Sequence, residues 1–234
     1  KRRDQIFSRS KGKRKMIKAV IFDMDGVLID TEKHLVRCWC QAAREAGFPF
    51  TRENGLELRS LAAKYAGPLL QERFGKEFDY EKVRNRRKEL MNQVLKEQGI
   101  EKKPGVDTLL DFLRAHGIKT AVATATDEER ASRYLKEIGI YDKFDHIVCA
   151  TMVPNGKPKP DIYLYACEKI KEKPCDCMGV EDSPNGIRAA LDAGLKTVMV
   201  PDLTEPDETL KKELFAVAKS LDGLIPVIEQ ENKC

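Results

Sequence analysis

Residues 18 to 30 read Lys18-Ala-Val-Ile-Phe-Asp-Met-Asp-Gly-Val-Leu-Ile-Asp30. The apolar run ending at Phe22 has the length and β-branched content of a fully buried strand. It breaks off at Asp23 and Asp25, two carboxylates that cannot be cheaply dehydrated. One residue separates them, so on extended backbone both point to the same side. A solvated turn that uses the backbone freedom of Gly26 is the plain reading of such a stretch, and a ligand-binding loop is the other.

Beyond this stretch, short apolar runs alternate with longer segments of helical spacing, and no repeat or low-complexity segment interrupts them. That rhythm predicts an α/β fold: a Rossmann-like parallel sheet core. Strands are expected at Lys18 to Phe22, Lys119 to Ala123, His146 to Cys149, Met178 to Val180 and Thr197 to Val200. Helices are expected at Asp107 to Ala115, Asp127 to Glu137, Asp161 to Lys171 and Pro184 to Ala193, the last closed by Gly194. From about Thr31 to Gly99 the rhythm fails, and Glu, Lys, Arg, Leu and Ala recur at helical spacing with no convincing strand. Four or so helices, separated near Gly47-Phe-Pro, Gly67-Pro and Gly75-Lys-Glu-Phe, form an insertion after the first strand; Pro104-Gly105 marks the return. The expected division is a basic extension over 1–15, a core over 16–31 and 101–234, and an all-helical cap domain over 32–100.

The chain has 234 residues and a net charge of +4. Its first fifteen residues hold eight Lys or Arg against Asp4, which is +7 locally and leaves −3 for the rest. A slightly acidic body excludes a general electrostatic footprint for nucleic acid; only the extension offers one, and it has little to bury. Met16, directly before Ile-Lys-Ala-Val-Ile-Phe, reads as a candidate natural start. No apolar run approaches the roughly 20 residues of a membrane span, and none near the start resembles a secretory signal, so a cytoplasmic protein is expected. The seven cysteines include C-x-C pairs but no C-x-x-C, which argues for idle thiols over a zinc site or a disulfide framework.

In open parallel sheets ligands gather beyond the carboxyl ends of the strands. Asp23, Asp25 and Gly26 follow the first expected strand, Thr124-Ala-Thr126 the second, and Glu181-Asp182-Ser183-Pro the fourth; Asn155-Gly-Lys157-Pro-Lys-Pro-Asp161 lies beyond the third. One rim thus receives four carboxylates, a hydroxyl and a lysine. Like charges so gathered raise one another's pKa unless a cation sits among them. Oxygen donors without histidine or cysteine suit Mg²⁺, leaving Lys157 and Thr124 to face an anion such as a phosphoryl group. A calcium loop is excluded, because Gly26 comes too early and the twelfth position from Asp23 is His34. A P-loop is excluded too: position 151 is Thr, and Pro158 follows Lys157. Thr126 is a capping candidate, and His116 and His146 read as structural.

In order and spacing, Phe22-Asp-Met-Asp-Gly-Val27, Thr124, Gly156-Lys-Pro-Lys-Pro-Asp161 and Gly179-Val-Glu-Asp-Ser-Pro-Asn-Gly186 resemble the four motifs of the haloacid dehalogenase-like phosphotransferases. The helical insertion resembles the α-helical cap of that superfamily's β-phosphoglucomutase-like branch. The resemblance implies an aspartyl-phosphate mechanism. In it Asp23 is the nucleophile, Asp25 the general acid and base, and Mg²⁺ is held by Asp23, the Asp25 carbonyl and Asp182, with Glu181 assisting. Lys157, Thr124 and the amides near Gly26 and Ala125 would bind the phosphoryl oxygens.

An aspartate two residues after the nucleophile favours phosphoryl transfer over dehalogenation. Within that class, a phosphatase of a small phosphorylated metabolite, a sugar or nucleotide phosphate, is expected ahead of a β-phosphoglucomutase-like mutase. His34 falls one position earlier than the mutase cap-hinge histidine, about 100° around a helix. Leu58-Arg-Ser-Leu-Ala-Ala-Lys64 stands where mutases carry Gly-x-Ser-Arg. Lys33, His34, Arg59 and Lys64 are the cap candidates for substrate contact, and a monomer or weak dimer is expected. A non-catalytic binding protein on this fold would lack the nucleophile or metal acids, and all are present.

Overall fold

The computed structural model describes residues 16–233. The basic extension over 1–15 and Cys234 lie outside the described residues. Five strands begin or end within a residue of their expected positions: β1 (Ala19–Phe22), β2 (Lys119–Thr124), β3 (His146–Cys149), β4 (Cys177–Glu181) and β5 (Lys196–Met199). A two-residue strand, β6 (Ala216–Val217), completes a parallel sheet in the order β3-β2-β1-β4-β5-β6. Too short to show a period, β6 leaves no trace in the sequence pattern. All four β1 residues are buried, and they divide by parity: Val20 and Phe22 join the apolar cluster on one face, Ala19 and Ile21 that on the other. A central parallel strand covered by helices on both faces reads as continuous apolar sequence for that reason.

Helices α1 (Glu32–Glu45), α2 (Arg52–Glu57), α3 (Ala63–Phe74) and α4 (Tyr80–Gln98) all fall between β1 and β2. They surround an aromatic core of their own, in which Trp39 stacks on Tyr80 at 6.0 Å and Phe48, Phe50, Phe74 and Phe78 pack together. Phe50 and Phe78 are wholly buried, which stabilises the insertion by about 2–3 kcal/mol each. Gly67-Pro68, expected to separate two helices, instead lies inside α3. Gly67 faces the Tyr80 ring so closely that an added Cβ would sit 3.4 Å from it; the glycine serves helix contact, and packing keeps Pro68 within the helix. The segments leading into and out of the insertion pair with each other. Asp30 N–H donates to Glu101 O at 2.9 Å and Lys103 N–H to Leu28 O at 3.0 Å, giving an antiparallel bridge at Ile29 and Lys102.

In the core, α5 (Val106–Ala115), α6 (Glu128–Glu137), α7 (Asp161–Ile170) and α8 (Pro184–Asp192) occupy the expected helical stretches. Beyond β5, where no element was expected, come α9 (Glu208–Glu213) and α10 (Leu224–Lys233). The cap of α6 is Asp127, whose carboxylate accepts from Arg130 N–H at 3.1 Å, so Thr126 does not cap it. Among the described residues no helix is long and apolar enough to cross a membrane, and the six described cysteines are all free thiols.

Candidate active site

The sheet order reverses at β1, with β2 to one side and β4 to the other, and the acids lie at that reversal. The parallel register places Phe22 opposite Val180, so the next residues, Asp23 and Glu181, stand level. Asp23 N–H donates to Val180 O at 2.9 Å and fixes the turn-off. Carboxylate oxygens of Asp23, Glu181 and Asp182 all lie within 4.8 Å of one another, and all three side chains are buried.

Two cations reach this cluster. Lys157 Nζ donates to Asp23 Oδ1 and Glu181 Oε1, both at 2.6 Å, and the lysine is 1 % exposed. Burial works against its charge, but Asp23 and Glu181 outweigh burial and hold the ammonium above its usual range. Arg59 comes from the insertion: its Nη1 donates to Asp182 Oδ2 at 3.2 Å and its Nη2 to Thr204 Oγ1. Two cations against three carboxylates leave charge uncompensated. Burial pushes the Asp23 carboxyl up to about 7, with Glu181 adding to the rise and Lys157 opposing it. Burial, then the charge of Asp23, raises Asp182 well above the ordinary range, against Arg59. Glu181 Oε2 and Asp182 Oδ1 are buried with no hydrogen-bond partner among the described residues. Three hard oxygen donors with excess negative charge and two orphaned oxygens fit a divalent ion such as Mg²⁺.

Two glycines are required here. Gly26 has φ +84°, and a Cβ on it would lie 2.5 Å from Asp182 Oδ2. At Gly186, in the first turn of α8, a Cβ would lie about 2 Å from the Glu181 carboxylate, so the helix start presses directly on that acid. Ser183 caps the same helix by accepting from Gly186 N–H at 3.3 Å.

Asp25 sits beside the cluster, with Oδ1 held by Thr31 Oγ1 at 2.6 Å and Oδ2 by Thr126 Oγ1 at 3.0 Å. Hydroxyls donate or accept, so this pair orients the carboxyl in either protonation state. Thr124, at the end of β2, accepts from Thr126 N–H at 3.1 Å, and its hydroxyl donates to no described residue.

The insertion closes the site. Ser60, with φ +55°, brings Oγ to 3.4 Å from Asp23 Oδ2. Asn185 donates to the carbonyls of Glu57 and Arg59, and Ala62 N–H donates to Lys157 O at 2.9 Å. A cavity remains between insertion and core. Asp23, Asp25, Glu32, Ala125, Trp39, Arg87 and Tyr134 are among the residues that line it.

The sequence-derived core residues Asp23, Asp25, Gly26, Thr124, Ala125, Lys157, Glu181 and Asp182 meet at this rim. Of the cap candidates, the structure brings Arg59 to the acids and keeps Lys33, His34 and Lys64 off the cavity lining. Lys33 is exposed and bound to Asp30 and Glu101; Lys64 is exposed and bound to Asn155 at 2.9 Å; His34 does not line the cavity. The α1 residues lining the cavity are Glu32, Leu35 and Trp39, so Lys33 and His34 lie roughly 100° and 200° round the helix from Glu32. Arg59 is buried, but its guanidinium is committed to Asp182 and Thr204. Sequence reasoning passed over Tyr163, whose hydroxyl donates to Glu181 Oε1, and over Thr31, Ser60 and Asn185. Asn185 stands inside the motif Gly179 to Gly186 with no role of its own assigned there, and Tyr163, Thr31 and Ser60 stand in no spacing that distinguishes them from ordinary polar residues.

Comparison with known proteins agrees with this geometry. The model of the family described as haloacid dehalogenase-like hydrolase matches residues 17–194. A phosphorylated carbohydrates phosphatase of Thermotoga maritima is 32 % identical over 209 residues, 87 % of this chain and 94 % of that protein. A β-phosphoglucomutase of Bacillus subtilis is 30 % identical over 190 residues, 79 % of this chain and 83 % of that protein. The crystal structure of a β-phosphoglucomutase from Clostridium difficile superposes with a TM-score of 0.78 at 27 % identity, covering 93 % of this chain and 98 % of that one.

Proposed function

This chain belongs to the haloacid dehalogenase-like hydrolases, and from that premise we propose that it is a Mg²⁺-dependent phosphatase of a small phosphorylated metabolite, a sugar or nucleotide phosphate. The observation that carries the reading is the meeting of Asp23, Glu181 and Asp182 around shared space, with Lys157 bridging the first two.

Residues 32–100 act as the cap and residues 16–31 and 101–234 as the catalytic core. A carboxylate oxygen of Asp23 attacks phosphorus, the bond from phosphorus to the ester oxygen breaks, and an aspartyl phosphate forms. Asp25, held by Thr31 and Thr126, passes its proton to the departing oxygen. It then takes a proton from water, whose oxygen attacks phosphorus and releases phosphate from Asp23. Lys157, the Thr124 hydroxyl and the backbone amides near Gly26 and Ala125 bind the equatorial oxygens where charge accumulates. The carboxylates of Asp23 and Asp182, the Asp25 carbonyl and, nearby, Glu181 would hold the ion. When bound it supplies charge neutralisation for the phosphoryl group and lets the acids stay ionised together.

A phosphate-release panel of metabolite monoesters, run with Mg²⁺ and after chelation, tests the reading. Turnover is expected only with the metal, and Asp23→Asn should lower it on the order of 10⁴-fold or more. Release that persists in Asp23→Asn rejects the mechanism. The mutase alternative draws support from the two β-phosphoglucomutase relatives, and β-glucose 1-phosphate in the panel decides it: conversion to the 6-phosphate without free phosphate would establish the mutase.

A further inference from the structure

The cavity above Asp23 is lined by charges of both signs: the acids Asp23, Asp25 and Glu32, and the arginines Arg84, Arg87 and Arg130. The arginines come from both sides of the seam between insertion and core. On α4 the lining residues are Tyr80, Arg84, Arg87 and Met91, a single stripe at spacings of four, three and four; on α6 they are Arg130 and Tyr134, one turn apart.

Arg87 is 8 % exposed and makes no hydrogen bond or ion pair with any described residue; its Nε is buried without a partner. It lies over the Trp39 ring, 5.1 Å from the centroid, which holds the guanidinium plane but satisfies none of its five donors. The Tyr134 hydroxyl, on the same cavity, is likewise buried and unpartnered. Arg84 has only an exposed contact to Glu81 at 3.6 Å, and Arg130 pairs with Asp127 through Nε alone. Burial, then the neighbouring charges of Arg130 and Arg84, pull the Arg87 group down to about 10, outweighing the opposing pull of Tyr80 and Asp25. An orphaned buried guanidinium is costly, and a fork of donors over an aromatic ring matches carboxylate or phosphate oxygens.

We infer that Arg84, Arg87 and Arg130 form a second anion-binding subsite, so that the monoester hydrolysed carries a carboxylate or a second phosphoryl group at its end remote from the scissile phosphate. The inference deepens the phosphatase reading and rests on it.

Trp39 is the only tryptophan in the sequence, so its emission reports occupancy beside Arg87 without any turnover. The Asp23→Asn protein with Mg²⁺ is titrated with two matched pairs. 3-Phosphoglycerate against glycerol 3-phosphate exchanges a carboxylate for CH₂OH; fructose 1,6-bisphosphate against fructose 6-phosphate removes one phosphoryl group. At least tenfold tighter binding of the doubly anionic member is expected in one pair, and the pair that discriminates says which anion is taken. Adding Arg87→Met should bring that ratio below tenfold. A ratio below tenfold in both pairs overturns the subsite whether or not the Arg87 variant folds, and so does a tenfold ratio that survives Arg87→Met. Phosphate release by the wild type without discrimination removes the subsite and keeps the phosphatase. Discrimination without release by the wild type of any ester does the reverse.

Discussion

Arg59, carried on the helical insertion, donates to the carboxylate of Asp182, 123 residues later in the chain, with both side chains withdrawn from water. A buried carboxylate deprived of its partner is expensive, so Arg59→Met should destabilise the protein by about 3–5 kcal/mol. A divalent ion at the acids would supply the missing charge. Urea melts with and without Mg²⁺ should therefore show a larger metal-induced shift in the variant than in the wild type; an equal or smaller shift would mean that Arg59 and the ion do not share Asp182.

Lys157→Met leaves Asp23 and Glu181 facing one another with no cation between them. Turnover of any accepted monoester should fall by on the order of 10²–10³, as for the loss of one preorganised donor to a charge-accumulating group. Steady-state phosphate release measures it, and a loss under tenfold would put the lysine outside the reaction.

Gly26→Ala meets two obstacles. Left-handed backbone at φ +84° costs a residue with a Cβ about 1–2 kcal/mol, and that Cβ would lie 2.5 Å from Asp182 Oδ2. The denaturation midpoint should drop accordingly, and activity should fall further than stability, because Asp182 is the group displaced. A variant of full activity would show that Asp182 need not stay where the turn holds it.

Asp127→Ala tests the α6 cap and its pH dependence. Although burial alone would raise the Asp127 carboxyl, the Arg130 backbone N–H and the Arg130 charge hold it below 3.8. A depressed folded-state value means that the stabilising contribution is present above the unfolded value and lost as pH falls through the folded one. The variant should thus be about 1 kcal/mol less stable than the wild type near pH 6. The gap should narrow as the pH is lowered below 3.8, which chemical melts across an acid series would follow.

Much of this molecule was legible from the chain because backbone period and strand-end chemistry are local. The alternation of apolar runs placed five strands, and the acids after β1 and β4 meet since parallel register puts Asp23 and Glu181 level. The insertion was harder to read. Lys33 and His34 stand out as polar groups near the first motif, but helix phase turns Glu32, Leu35 and Trp39 inward on α1 instead; Lys64, on α3, is exposed and bound to Asn155. The stripe at Tyr80, Arg84, Arg87 and Met91 has a regular spacing, yet Arg86 and Lys88 flank it with equal charge and conceal which arginines are inward. Arg59 is ordinary in sequence; only the approach of α2 to the Asp182 loop makes it a counterion. Short late elements such as β6 carry too few residues to show any period.

The contacts by which the insertion seats on the core converge on one short segment: Asn185 to Glu57 and Arg59, Arg59 to Asp182, Ser60 to Asp23, Ala62 to Lys157, and Lys64 to Asn155. Asp23 is 2 % exposed, and two residues of this segment, Arg59 and Ser60, touch the acids themselves. The side chains that anchor the insertion are thereby the ones that border the acids, and a substitution among them disturbs the anchoring and the surroundings of Asp23 and Asp182 together.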